Sequence, residues 1–139
     1  MNMHRLELQK IALSKLDDAE LLFQSERYSN AYYLFGYAAE IALKARIAHR
    51  FTAETIPDKR FVQAVYSHDL DALVNLAGLR TELECARKTS PQFDSYWSTV
   101  SDWSEAARYD MIDVFNSTAM RDAMVDKTDG VFQWLQSFW

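Results

Sequence analysis

The chain has 139 residues, 49% apolar and 14% aromatic, with a formal net charge of -5 at pH 7, three Gly, two Pro and one Cys. That length supports one globular domain, spanning 1–139, which buries roughly 68% of its unfolded surface without disulfides or a structural metal. The lone Cys85 excludes an internal disulfide framework and points to a reducing, cytoplasmic location.

Met1 to Glu7 runs directly into charged amphipathic sequence without a secretory apolar segment, so the mature chain is read from Met1. The longest apolar run, Ala31 to Ala39, covers nine residues, about half of the roughly 20 that a bilayer requires. Charge is uneven: residues 1–60 hold nine Lys/Arg against eight Asp/Glu, and residues 61–139 hold six against twelve. Such a field repels a polyanion, which argues against wrapping duplex DNA and leaves room only for a small cationic site.

Scarce Gly and Pro, with apolar residues at three- and four-residue spacings, predict an all-α protein: an up-and-down bundle of four to five main helices plus a short crossover helix. Leu8, Ala12, Leu16, Ala19 and Phe23 form the buried stripe of a first helix over 3–26. From Tyr28 to Phe51 apolar residues lie nearly all round, and Ala31, Ala38, Ala42, Ala45 and Ala48 offer small surfaces for close approach, so this second helix is expected at the centre. Residues 52–67, with Pro57, read as the crossover, carrying a short helix near Arg60 to Val65. Ser67 is the expected cap of the next helix, with Asp69 and Asp71 at its positive end, and Gly78 is its stop. Pro91 suits the first turn of a helix reaching Trp103. Met120, Met124, Val131, Trp134, Leu135 and Phe138 mark the last apolar stripe, whose continuity Gly130 weakens. No repeat or linker suggests a second domain.

Chemistry-bearing patterns are sparse. There is no Gly-rich phosphate loop, no nucleophile elbow and no His pair at i and i+4, and His4, His49 and His68 stand far apart, so neither cofactor nor metal is expected. Cys85 lies beside Glu84 and near Glu82, which oppose a thiolate; it reads as a small, partly buried side chain. Two features stand out. Glu40 sits in the most apolar helix with Lys44 four residues on, either as a surface pair or facing a cation from another helix. Trp103 to Asp110 forms a polar break in which Arg108 and Tyr109 either clamp a phosphate and stack on a base, or Arg108 satisfies Glu40 or loop carbonyls.

Tyr28 to Ala45 resembles the second-helix signature of HEPN domains, the higher eukaryotes and prokaryotes nucleotide-binding family. Ser67-His68-Asp69-Leu70, then Leu73 and Ala77-Gly78-Leu79, resemble its third-helix start, and Trp103 followed by Arg108-Tyr109 resembles its segment before the last helix. The resemblance covers nearly the whole chain. It implies a helical bundle, frequent homodimerisation, and a nucleotide or RNA role often exercised beside a nucleotidyltransferase partner protein. Glu40 and Lys44 match the family's Glu-three-Lys element, and Arg108 its polar site.

Ribonuclease members carry a His after an Arg with four to six residues between, whereas here those positions hold Asp113, Val114 and Phe115. Metal-independent RNA cleavage needs a proton-transferring group that Arg108 cannot replace. The expected function is therefore non-catalytic binding of a nucleotide or RNA phosphate by Arg108, Tyr109, Lys44 and Glu40, with Glu40 orienting Arg108 from behind and His68 as an outer neighbour. One alternative is a metal-independent ribonuclease of a toxin–antitoxin or defence system, with His68 approaching from another helix. The other is a dimeric interaction module that uses Phe132, Trp134, Phe138 and Trp139 and binds no small ligand.

Overall fold

The computed structural model describes residues 3–139. Among them the chain forms eight α-helices and no strand. Helix α1 (Arg5–Gln24) and helix α2 (Tyr28–Ile47) form a tight hairpin, with Leu8, Ala12 and Ala19 of the predicted stripe buried between them and Leu16 and Phe23 packed at its edge.

The turn between these helices explains itself in backbone terms. Arg27 N donates to Leu22 O at 2.8 Å and Glu26 N to Phe23 O at 3.0 Å, which satisfies two carbonyls that the end of α1 leaves free. This closure requires a left-handed residue, and Glu26 fills the place with φ 61°. A side chain there costs about 1 kcal/mol that glycine avoids. Glu26→Gly is accordingly expected to raise stability by roughly 0.5 kcal/mol in denaturant unfolding, after the greater freedom of an unfolded glycine is discounted.

Helix α2 is central, as its all-round apolarity predicts: Ala31, Phe35, Ala38, Ala39, Ala42, Leu43 and Ala45 are all buried. It packs against α1 and against five later pieces of chain. It ends at Ile47, and the predicted extension to Phe51 tightens into a 3-10 turn, Ala48–Arg50. Helix α3 (Lys59–Val65) is the predicted crossover helix, capped by Asp58. Helix α4 (Leu70–Leu76) stops before Gly78, whose φ of +73° turns the chain into helix α5 (Arg80–Thr89).

The expected Ser67 cap is corrected. Asp69 caps α4, its Oδ1 accepting from Asp71 N at 3.0 Å and Ala72 N at 3.2 Å, while the Ser67 hydroxyl accepts from Asp69 N at 3.0 Å. Ser67 therefore braces the cap one step upstream. Cys85 is also corrected, since it is exposed on α5 rather than partly buried.

Helix α6 (Pro91–Ser101) starts with Pro91 in its first turn, as predicted, and the Ser90 hydroxyl accepts from Phe93 N at 3.0 Å. The last stripe is divided between helix α7 (Val114–Val125) and helix α8 (Val131–Gln136). The Asp126 carboxylate accepts from Asp129 N at 2.8 Å and holds the turn between them. Met120, Met124, Val131 and Leu135 are buried, whereas Trp134 and Phe138 pack at the core's edge.

Arg121 on α7 grips Glu20 on α1, with Nε at 2.8 Å from one carboxylate oxygen and 2.9 Å from the other. This hydrogen bonding holds the Glu20 carboxyl below the usual carboxylate range. A lowered folded-state value means that the pair stabilises the fold above the ordinary value and ceases to do so as pH falls through the lowered one. With the pair about one-third exposed, the benefit is roughly 1 kcal/mol. Glu20→Gln is expected to unfold at lower temperature than the wild type at pH 7, and the gap is expected to close as pH falls through the lowered Glu20 value. A gap that widens in acid contradicts this assignment.

Candidate functional site

Glu40 is the unusual residue of α2: a carboxylate with 2% exposure among alanines and leucines. A buried carboxylate needs partners on both oxygens, and it has them. Its Oε2 accepts from Lys44 Nζ at 3.1 Å and its Oε1 lies 2.8 Å from His68 Nδ1. The second partner, the one from elsewhere in the fold, is His68, delivered by the residues just before α4. That His68 precedes the Asp69 cap fixes its position over α2.

On its other side, His68 Nε2 lies 2.9 Å from Glu105 Oε2. Glu105 opens a 3-10 turn, Glu105–Tyr109, whose Arg108 donates from a terminal nitrogen to Glu105 Oε1 at 2.9 Å. The side chains thus form a row: Lys44, Glu40, His68, Glu105, Arg108. His68 therefore stands between two carboxylates, with one ring nitrogen within hydrogen-bond distance of each. Glu40 does not touch Arg108 directly, and the link between them runs through His68 and Glu105.

The two ends of the row face different surroundings. Arg108 is on the surface, its guanidinium 4.8 Å from the centre of the Tyr109 ring. Tyr109 is 78% exposed, and Met111, Val114 and Phe115 stand exposed just beyond it. Lys44 instead lines an apolar recess between α1, α2 and α3. Of the five candidate residues, Arg108 and Tyr109 meet at one surface, His68 stands behind them next to Glu105, and Glu40 and Lys44 lie deeper.

The turn that carries Arg108 is anchored by close packing. Trp103, 3% exposed, lies on Gly36 of α2, where a Cβ would clash with the face of the indole. Farther on, Ile112 N donates to the Ser29 hydroxyl at 2.7 Å, and the Ser117 hydroxyl donates to Tyr28 O at 2.9 Å. The start of α2 therefore holds both sides of the segment.

The neighbourhood is negative. Burial first, then Asp102 and Asp110, push the Tyr32 phenol up, and burial followed by Glu40, Tyr33 and Glu105 does the same at Tyr37. Both phenols stay neutral at ordinary pH.

Glu105 and Phe115 are the residues that sequence reading missed. Glu105 carries a legible signal, since it stands three residues before Arg108, a spacing that brings side chains together on a helical turn. Phe115 had none, because only the fold shows that it is left uncovered. The C-terminal rings are placed differently from the interaction-module expectation. Phe132 is buried, Trp134 lies against Phe93 and Phe138, and Trp139 donates from Nε1 to Ala42 O at 3.2 Å. Phe132 thus belongs to the chain's own core, and the other three rings are partly buried against it.

Among the described residues, no helix is long and apolar enough to cross a membrane. Comparison with curated proteins and with solved structures gave no match. The model of the HEPN domain does match, over residues 6–137. The helical architecture and a match of that extent place this chain in the HEPN domain family.

Proposed function

We propose that this HEPN domain binds a nucleotide or the phosphate of an RNA end at Arg108 and Tyr109, without catalysing a reaction on it. The observation that carries the reading is the row from Glu40 through His68 and Glu105, which orients an exposed guanidinium beside an exposed ring. Arg108 commits one of its five N–H donors to Glu105, so donors remain for a forked grip on phosphate. Tyr109, with Met111 and Phe115 nearby, supplies faces on which a base stacks. Lys44 and Glu40 serve at the back of the row. The domain acts as a homodimer beside a nucleotidyltransferase partner, the arrangement that its family resemblance implies.

The negative surroundings limit the ligand. One arginine among Asp102, Glu105, Asp110 and Asp113 suits a single phosphate group rather than a polyanion. Ribonuclease chemistry is disfavoured for a related reason: His68 stands near Arg108, but both its nitrogens are engaged by carboxylates, and a general base must reach the proton it takes.

Equilibrium binding of a short fluorescent RNA tests the reading. The 5′-phosphorylated form is expected to bind at least tenfold more tightly than the dephosphorylated form, with a salt slope of about one phosphate contact. Arg108→Ala removes that preference, and Tyr109→Ala weakens both forms. Equal binding of the two RNAs, or cleavage of either that depends on His68, defeats it.

A further inference from the structure

The recess at the Lys44 end has a volume of about 230 Å³ and shares no lining residue with the recess beside His68 and Glu105. Its walls are Leu8 of α1, Ile47 of α2, Phe51, and Val62 and Val65 of α3, and Lys44 is the one charged side chain among them. Lys44 is only 12% exposed. Among the described residues its ammonium has one hydrogen bond, to Glu40, and two further N–H donors. Packing alone would favour a methyl-ended side chain at such a wall, so an ammonium with unused donors there is a polar group that a ligand can satisfy.

Charge along the row explains what those donors accommodate. The row starts at Lys44 and ends at Arg108, and Lys44 is bonded on one side only, to Glu40. A monoanion can accept from the two free Lys44 donors, whereas a dianion there would be set against Glu40 at close range. Size sets the rest of the ligand: an apolar cavity of about 150 Å³ admits benzene, so this recess holds a ring or short alkyl chain together with a small headgroup.

We infer that the recess between α1, α2 and α3 is a binding site for a small apolar monocarboxylate. Its carboxylate pairs with Lys44, and its aromatic or short alkyl body lies against Phe51, Val62 and Val65. This site is separate from the Arg108 surface and stands without it.

Thermal unfolding of the full chain with phenylacetate, benzoate and hexanoate, each at about 10 mM, tests the inference against acetate and 2-phenylethanol. At least one of the three acids is expected to raise the melting temperature by several degrees, while acetate, lacking the body, and 2-phenylethanol, lacking the charge, do so weakly or not at all. Val62→Trp fills the recess and removes the rise. The double variant Glu40→Leu with Lys44→Met, which suits an apolar wall and leaves no buried carboxylate unpaired, loses the preference for acid over alcohol. Arg108→Ala retains the full rise. No rise with any of the three acids overturns the inference, as does an acid preference that persists in the Glu40→Leu with Lys44→Met variant or a rise that vanishes in Arg108→Ala.

Discussion

Replacing Glu40 with Ala is expected to lower the melting temperature by about 10 °C. Removing one member of a buried ion pair costs about 3–5 kcal/mol, because the partners stay desolvated and unpaired. Here the lower end applies. His68 is 43% exposed and re-solvates, and Lys44 reaches towards solvent along its flexible stem. About 3 kcal/mol in a chain of this size corresponds to that temperature shift. The double variant Glu40→Leu with Lys44→Met is expected to recover much of the loss, since an apolar pair of similar volume replaces a buried ion pair at little cost. Ligand binding separates the two designs from the wild type: both leave His68 and Glu105 without their anchor, so both weaken the phosphate preference. A Glu40→Ala variant within 1 kcal/mol of the wild type in urea unfolding contradicts the row's structural role.

The second large effect is expected at Gly36, where two opposing contributions have comparable size. Alanine in a helix interior is favoured over glycine by about 1 kcal/mol. Against this, the new methyl meets the rigid indole of Trp103, which is sealed between α2 and the site segment. Forcing extra volume into such a contact costs about 1–3 kcal/mol, and a Cβ driven against the indole face belongs at the upper end. Gly36→Ala is therefore expected to be destabilised by about 2 kcal/mol net. Because Trp103 stands two residues before Glu105, the variant also displaces Arg108, and binding falls more than stability. A stabilised Gly36→Ala protein contradicts this close approach.

Local chemistry made much of the fold legible. The stripe of Leu8, Ala12 and Ala19, the alanine-rich α2, Pro91 and Gly78 each act through neighbours in sequence, and each stands where periodicity or turn chemistry puts it. The Ser67 cap failed for a related reason: two capping side chains lie two residues apart, and only backbone geometry decides that Asp69 is the nearer to the free amides. Single-stripe reading also blurred α7 and α8, since Met124 and Val131 face one core across a turn held by Asp126.

The candidate site was legible in its ends and not in its middle. Glu40 announces itself as a charge in an apolar helix, and Arg108 as a cation among aromatics. What joins them depends on long-range packing: 28 residues separate Glu40 from His68, and Glu105 reaches His68 only because Trp103 seats its turn on Gly36. The exposure of Tyr109 and Phe115, and the burial of Phe132, likewise follow from which surfaces the bundle covers.

The most direct measurement is thermal unfolding against mono-, di-, tri- and cyclic nucleotides and short 5′-phosphorylated RNAs, on the wild type and on Arg108→Ala. A ligand at about 100 times its Kd adds roughly 2.7 kcal/mol, enough to raise the melting temperature by several degrees. The account predicts a selective rise for phosphate-bearing ligands that Arg108→Ala abolishes. No shift across the panel, or a shift equal in both proteins, contradicts it.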